Sequence, residues 1–209
     1  KSTDVAGNTS SPSTAFALTI DTSAPSTPVI TTTTELTNDK TPQIVGNADP
    51  NNVVKLFVNG VETGDSVTSN DSGNFSIVPT LELDDDDYSL TVKSFDEAGN
   101  DSAHSAALEI EIDTTAPEAP SLSTDVLLTA DTTPSITGAA EAGSTITLSV
   151  NGISTGDTVP ADEDGNFSIT PSLPLNEGLN SITVTSTDSL GNISASSTPL
   201  SITIDITPP

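Results

Sequence analysis

Apolar and polar side chains alternate with a period of two along most of this sequence of 209 residues. Residues 145–150 read Thr-Ile-Thr-Leu-Ser-Val, and residues 16–20, 108–112 and 181–185 follow the same rule. Alternation of this kind predicts strands that bury one face, and no segment shows the 3.6-residue period of a helix. The sequence therefore predicts an all-β protein with a strand at each of these segments.

The order of strands and turns repeats along the chain with a constant offset of 92 residues. Ile-Asp at 20–21 returns at 112–113 and 204–205, each time before a proline-containing linker, and Gly-Asn-Phe-Ser at 73–76 returns at 165–168. A fixed offset indicates tandem domains of one kind. We expect the chain to be a piece of a longer protein. It divides into four parts: the tail of a preceding repeat (1–21), a first repeat (22–113), a second repeat (114–205) and a linker to a next repeat (206–209).

Each repeat is predicted to be a seven-stranded immunoglobulin-like β-sandwich, because short alternating strands with frequent turns are typical of that fold. In the second repeat the strands are expected near 120–123, 134–139, 144–150, 153–160, 166–171, 180–187 and 193–204. The inward-facing residues are expected to be Ile136, Ile146, Leu148, Val150, Phe167, Ile169, Ile182, Val184, Leu200 and Ile202, and their equivalents 92 positions earlier. We expect the tandem sandwiches to form an extended rod.

The charge balance excludes several functions. The chain has 30 Asp and Glu residues against 4 lysines, which gives a net charge of -26. Nucleic-acid binding needs a basic surface, and an anionic membrane would repel this chain. No apolar run is long enough to insert directly into a bilayer. Without cysteine there are no disulfides, thiolate zinc sites or cysteine nucleophiles. Carboxylates at this density repel one another, so divalent cations are expected to stabilise the fold.

Acidic residues fall on the loops that a sandwich gathers at the end where the chain enters. In the second repeat these residues are Asp113, Glu141, Asp162, Asp164 and Asp188. Carboxylates held close together favour a bound cation. Ca²⁺ accepts six to eight oxygen ligands in flexible geometry, whereas Mg²⁺ retains its waters and usually needs a phosphate. The sequence therefore predicts a calcium site at the junction that precedes the second repeat.

The first repeat offers Asp21, Asp49, Asn70, Asp71 and Asp96 for a site at the corresponding end. Asn70 stands where the second repeat has Asp162, so we expect a weaker or rearranged site there.

A second group of acidic residues is expected at the opposite end of each sandwich. It comprises Asp39, Asp131 and the run Asp84–Asp87, which the second repeat replaces by Asn176-Glu177. Asp, Asn and Gly are also common in tight turns for conformational reasons. The alternative interpretation of all these loops is therefore a set of capped turns without metal.

No catalytic constellation is evident, so the chain is not expected to be an enzyme. His104 is the only histidine and is expected at the surface without a nucleophile beside it. Tyr88 is expected to pack locally, and Phe57 is expected to face outward from its strand. A hydrolase that uses paired carboxylates is the remaining enzymatic alternative.

Four stretches of the sequence resemble the bacterial Ig-like repeats of giant type I-secreted adhesins and biofilm-associated proteins of Gram-negative bacteria. The matching stretches are Thr137–Gly143, Ala161–Phe167, Asp188–Asn192 and Asp113–Pro117. The resemblance implies an extracellular location on the bacterial cell surface, and calcium that stiffens the junctions between neighbouring repeats of one chain. It also implies that other modules bind the host-surface or biofilm-matrix ligand.

The function expected from the residues and the resemblance together is that of a calcium-rigidified spacer in an adhesin stalk. The alternative is a binding module that recognises a host glycan or protein. An aromatic cluster on one face would favour that alternative.

Overall fold

The computed structural model describes residues 1–125 and 127–208. All regular elements in these two ranges are β-strands, which confirms the predicted all-β class. Pro209, the last residue of the predicted linker 206–209, lies outside the described residues. Within the same ranges, no helix has the length and apolar character needed to cross a membrane.

Each repeat contains eight strands in equivalent positions. Those of the first repeat are β1 (Val29–Ile30), β2 (Leu36–Thr37), β3 (Ile44–Asn47), β4 (Val53–Val58), β5 (Val61–Thr68), β6 (Asn74–Ile77), β7 (Asp86–Phe95) and β8 (Leu108–Ile112). Those of the second repeat are β9 (Ser121–Leu122), β10 (Leu128–Thr129), β11 (Ile136–Ala139), β12 (Thr145–Val150), β13 (Ile153–Pro160), β14 (Asn166–Ile169), β15 (Gly178–Thr187) and β16 (Leu200–Ile204).

The strands form one three-stranded and one five-stranded sheet in each repeat, as a sandwich requires. The orders are β1-β3-β6 and β2-β8-β7-β4-β5 in the first repeat, and β9-β11-β14 and β10-β16-β15-β12-β13 in the second. The prediction of seven strands missed β2 and β10. Each of these strands has two residues and pairs in parallel with the last strand of its repeat, so it is too short to show an alternating pattern.

The chain folds into two compact units that do not coincide with the two sequence repeats. They comprise residues 1–32, 43–77 and 90–107 in the first unit, and residues 33–42, 78–89 and 108–209 in the second.

The predicted inward-facing residues of the second repeat form its hydrophobic core. Eight of the ten are buried, and the remaining two, Val150 and Leu200, are partly buried against the cluster. The core also contains Ile204, which continues the alternation of Leu200 and Ile202, and Leu175, which the alternating pattern did not predict. Leu175 lies outside the strands, and its backbone N–H donates to the carbonyl of Thr132. This bond fixes the loop that carries Leu175 against the rest of the repeat.

The prediction of a strand at residues 16–20 is wrong. Phe16, Leu18 and Ile20 are 88%, 73% and 79% exposed, and no strand is assigned to this segment. In the repeats, the equivalent positions lie in β8 and β16, where neighbouring strands complete their hydrogen bonds. Residues 1–21 offer only an isolated bridge between Thr3 and Thr9. An alternating pattern gives the face that a strand would bury, but the strand forms only when a partner is present.

Tyr88 closes the corner that leads into β7. Its hydroxyl donates to the carbonyl of Asp84 at 3.1 Å. In the second repeat Asn180 occupies the same position and donates through Nδ2 to the carbonyl of Asn176 at 2.8 Å. A tyrosine that bonds back to the backbone at this corner is a hallmark of immunoglobulin-like sandwiches. The fully buried Asn180 reproduces the contact, but its Oδ1 atom has no hydrogen-bond partner among the described residues.

Tyr88→Phe is expected to lower the free energy of unfolding of the first repeat by about 1 kcal/mol, because it removes one neutral hydrogen bond and leaves the ring in place. Urea denaturation followed by far-ultraviolet circular dichroism measures the change. An unchanged denaturation midpoint would show that the hydroxyl does not hold this corner.

Candidate metal centre

The Asp-x-x-Gly-Asn motif folds into a turn that its own aspartate caps. Asp188 Oδ1 accepts hydrogen bonds from the backbone N–H groups of Leu190 and Asn192, each at 2.9 Å. Its Oδ2 accepts from Asn192 Nδ2 at 2.8 Å. Asp96 makes the equivalent bonds to the backbone and side chain of Asn100. The motif therefore has a conformational role in both repeats, as the capped-turn interpretation requires.

These contacts lower the pKa values of the two aspartates. Burial raises the pKa of the Asp188 carboxyl, but the hydrogen bonds from Asn192 and from the backbone of the turn outweigh it, so the pKa lies below its ordinary value of 3.8. The Asn100 side chain is the main cause of the lowered pKa of Asp96. Both groups therefore remain ionised at neutral pH and available to a cation.

The same asparagines also hold the linkers. Asn192 Nδ2 donates to the backbone carbonyl of Asp113 at 3.0 Å, in addition to its bond with Asp188. Asn100 Nδ2 donates in the same way to the carbonyl of Asp21 at 3.2 Å. In both repeats one amide therefore connects an oxygen of the linker with a carboxylate of the loop.

The two other predicted loops of the second repeat are bonded to each other. Ala140 N–H donates to the carbonyl of Gly165 at 2.8 Å, and Gly143 N–H donates to that of Ala161 at 3.2 Å. The linker also reaches this region, because Glu118 lines an open cavity together with Glu141. The exposed carboxylate of Glu141 thus lies in the loop next to the turn capped by Asp162.

Asp162 in the second repeat corresponds to Asn70 in the first, and the structure shows why asparagine can replace aspartate at this position. Asp162 Oδ1 accepts from the backbone N–H groups of Asp164 and Asn166 at 3.0 and 2.7 Å. In the first repeat, Asn70 Oδ1 accepts from the equivalent N–H groups at 3.0 and 2.9 Å. The fold at this position requires an oxygen acceptor and not a negative charge. Asp164 and, in the first repeat, Asp71 are exposed, and they do not occupy equivalent positions because Ser72 is the counterpart of Asp164.

Asp49 has a different role from Glu141 at the equivalent position. Its Oδ2 accepts from the backbone N–H of Ser26 at 2.7 Å, and its side chain is half-buried. The Asp49 carboxylate thus binds the linker directly.

Asp39 and Asp131 cap turns at the opposite end. Each Oδ1 atom accepts from the backbone N–H of the threonine two residues later, Thr41 or Thr133, at 2.9 Å. These contacts give both aspartates a conformational role, and their metal binding stays a prediction.

The acidic run 84–87, which the repeat pattern predicts to face the linker at Asp113, contacts that linker through two threonines that were not predicted. Asp85 accepts from the hydroxyls of Thr114 and Thr115 at 2.6 and 2.8 Å. The Thr114 bond, followed by the Thr115 bond, lowers the pKa of the Asp85 carboxyl. Glu177, 92 residues later, accepts from Thr207 Oγ1 at 3.2 Å. Asp85 and Glu177 are 92 residues apart, as are Thr115 and Thr207. This shared offset is the sequence signal that predicts the contact in both repeats.

Carboxylates also line an open cavity of about 270 Å³ beside this linker. They belong to Asp85, Asp86, Asp87, Glu111 and Asp113. However, no group of three or more His, Cys, Asp or Glu side chains in residues 1–125 and 127–208 is close enough to hold a metal ion. The atoms that could bind a metal ion at both ends of the repeats are carboxylate and carbonyl oxygens, which are the ligands that Ca²⁺ takes. The chemistry of the donors therefore fits calcium, although the side chains are arranged as caps.

The sequence assigns both repeats to one family. Residues 29–114 and 121–206 match the bacterial Ig-like domain family, and this chain belongs to it. No curated protein sequence matches the chain.

Three solved structures are similar to this chain, and the first of them shows the same fold. A Ca²⁺-stabilised adhesin with which an Antarctic bacterium binds ice is 24% identical, with a TM-score of 0.53 over 98% of this chain and 55% of that one. A 1.5-MDa bacterial ice-binding adhesin is 19% identical, with a TM-score of 0.47 over 88% and 66%. The BSP domain of a biofilm-associated protein is 23% identical, with a TM-score of 0.34 over 87% and 30%. This chain therefore spans about half the length of the first of these structures and less than a third of the last.

Proposed function

We propose that the two repeats are calcium-stiffened spacers in the stalk of a large bacterial cell-surface adhesin that mediates cell adhesion or biofilm formation. The observation that carries this proposal is the shared asparagine: Asn192 connects the Asp113 carbonyl with the Asp188 carboxylate, and Asn100 connects Asp21 with Asp96. In both repeats the linker and a loop therefore present oxygen atoms to the same small region, where one cation can bind both.

The proposed ligands at the first of these positions are Asp21 and Asp96, and at the second Asp113 and Asp188 together with Glu141. A carboxylate has about four lone-pair positions, so the bonds that cap each turn leave acceptor capacity for a metal ion. Calcium would supply positive charge to a chain whose net charge is -26. It would also restrict the linker, because a cation bound to linker and loop opposes their separation.

Family membership supports the adhesin part of the proposal. The chain belongs to a bacterial Ig-like domain family, and one structure of the same fold is that of a Ca²⁺-stabilised bacterial adhesin. We accordingly infer an extracellular location at the bacterial surface and neighbouring Ig-like repeats as the direct partners of each repeat. The repeat boundaries at 22–113 and 114–205 are part of the same proposal.

Isothermal titration calorimetry with CaCl₂ tests the proposed ligands. Asp188→Asn keeps one oxygen for the backbone N–H groups of the turn but removes the charge and the acceptor of Asn192 Nδ2, so it is expected to weaken calcium binding at the second position at least tenfold. Glu163→Gln removes the same charge from an exposed side chain that is not a proposed ligand, and it is the matched control. Equal affinities in the two variants would refute the assignment of Asp188.

A further inference from the structure

Cationic and aromatic side chains are concentrated on one face of the first repeat. Lys55 and Phe57 lie on β4, Lys93 and Phe95 on β7, and His104 on the loop that follows β7. We call these five residues the Lys-Phe surface. They include two of the four lysines in the chain, two of the five phenylalanines and the only histidine. A concentration of this kind in a chain of net charge -26 is a distinct chemical feature.

The side chains of this surface are in direct contact. Lys55 Nζ lies 4.7 Å from the centre of the Phe95 ring, and Lys93 Nζ lies 5.8 Å from it. The Phe57 and His104 rings meet edge to face with their centres 4.6 Å apart. These contacts hold two cations over the Phe95 ring and one ring pair, Phe57 with His104, in a defined arrangement on the sheet.

The arrangement is unfavourable for the sheet itself. Lys55 and Lys93 are directly opposite each other in the β4–β7 register. Like charges at directly opposite positions destabilise a sheet. Each lysine is paired with a carboxylate, Lys55 with Glu62 and Lys93 with Asp101, but these partners are 44% and 50% exposed. Exposed ion pairs contribute little stability.

The second repeat shows that the fold does not require this surface. The five equivalent positions are occupied by Thr147, Ser149, Thr185, Thr187 and Ser196. Thr147 faces Thr185 in the same register, and β12 and β15 pair along their length as β4 and β7 do. The lysines and aromatic rings are therefore additions to a scaffold that forms without them, and a local departure from favourable pairing is expected at functional positions.

The position and chemistry of the surface define what can bind there. Both strands are interior strands of the five-stranded sheet, so a peptide cannot add to them as a further strand, which is the usual way a sheet recognises a peptide. Two lysines at directly opposite positions can bind an anion that replaces their exposed partners Glu62 and Asp101. Aromatic rings beside them offer an apolar platform, and the Thr91 hydroxyl, bonded to His104 Nδ1 at 3.0 Å, adds a polar group.

We propose that the Lys-Phe surface binds an acidic polysaccharide through a carboxylate-bearing pyranose. The carboxylate lies between Lys55 and Lys93, and the apolar C–H face of the sugar ring packs against the aromatic side chains. This inference goes beyond the proposed spacer function, because it gives the first repeat a ligand of its own and does not depend on calcium.

Titration of the full 209-residue chain with oligogalacturonate, followed by amide chemical shifts, tests the proposal. All samples contain EDTA, so that calcium cannot bridge the acidic chain and the acidic sugar. We expect saturable shifts confined to β4, β7 and the loop that carries His104, and weaker binding as salt is raised. The double variant Lys55→Thr/Lys93→Thr, which installs the residues of the second repeat, is expected to weaken binding at least tenfold without lowering the melting temperature.

Three results would overturn the proposal. The first is an absence of saturable shifts in the unmodified chain. The second is equal binding by the double variant or by a neutral galactose oligomer of the same length. The third is equal binding by an oligoglutamate peptide, which would assign the surface to an acidic protein. Phe57→Ser with His104→Ser provides a second variant, which is expected to weaken binding while both lysines remain.

Discussion

Gly138→Ala is expected to destabilise the second repeat by about 3 kcal/mol, the upper part of the range for overpacked sites. A Cβ atom at this position would lie 2.1 Å from the backbone oxygen of Ser121 and 2.5 Å from the Phe167 ring. Gly138 is on the central strand of the β9-β11-β14 sheet. The backbone oxygen belongs to a paired strand and cannot move without breaking its ladder, so the strain cannot be relieved locally.

The chain offers two controls for this variant. Gly46→Ala places the same clash in the first repeat, against Val29 and Phe75. Gly143→Ala puts a methyl group into open space at a φ of +77°, so its expected cost is only the backbone strain of about 1 kcal/mol. Tyr88 is the only tyrosine and the chain has no tryptophan, so tyrosine fluorescence in urea reports on the surroundings of Tyr88. If the two sequence repeats unfold independently, as their proposed boundaries imply, Gly46→Ala shifts that transition and Gly138→Ala leaves it unchanged; the reverse result would contradict those boundaries.

Saturating calcium is expected to raise the melting temperature of the chain by about 10 °C or more. Ligand at 100 times its dissociation constant stabilises a folded domain by about 2.7 kcal/mol. One kcal/mol moves the midpoint of a domain of this size by about 4–8 °C. The physical cause is the replacement of carboxylate repulsion by metal coordination at the linkers. Differential scanning calorimetry in CaCl₂ and in EDTA measures the shift.

General charge screening is separated from site binding by the choice of salt. MgCl₂ at the same ionic strength screens a net charge of -26 equally well but fits flexible oxygen sites poorly. We expect calcium to stabilise the chain well beyond magnesium, and Asp113→Ala/Asp188→Asn to lose most of the difference. Equal shifts in both salts would attribute the stabilisation to screening and contradict the calcium sites.

The alternation of apolar residues predicted most of the fold because burial on one face of a strand is a local property. Ile146, Leu148 and Val184 are buried as the pattern requires. The same pattern failed at Phe16–Ile20, because strand formation depends on partners that local sequence does not report. It also missed Leu175, which lies between Pro174 and Asn176 in a loop and is buried through a tertiary contact.

The candidate centre was predictable in its position but not in its side-chain geometry. The repeat offset located the acidic turns, and the structure connects the turn at Asp188 to the linker at Asp113. The repeat offset did not predict where each carboxylate points. In the structure, the carboxylates of Asp188 and Asp162 accept hydrogen bonds from backbone N–H groups of their own turns. Local hydrogen bonds of this kind compete with metal coordination, and sequence alone does not decide between them.

Small-angle scattering of the two repeats in calcium and then in EDTA tests the central claim most directly. If cations at the linkers stiffen the chain, calcium will give a narrow distribution of molecular dimensions and EDTA a broader one. Asp113→Ala/Asp188→Asn in calcium will then reproduce the EDTA curve, while Glu163→Gln will behave as the unmodified chain. Superimposable curves in calcium and EDTA would contradict the account and leave the acidic loops as capped turns only.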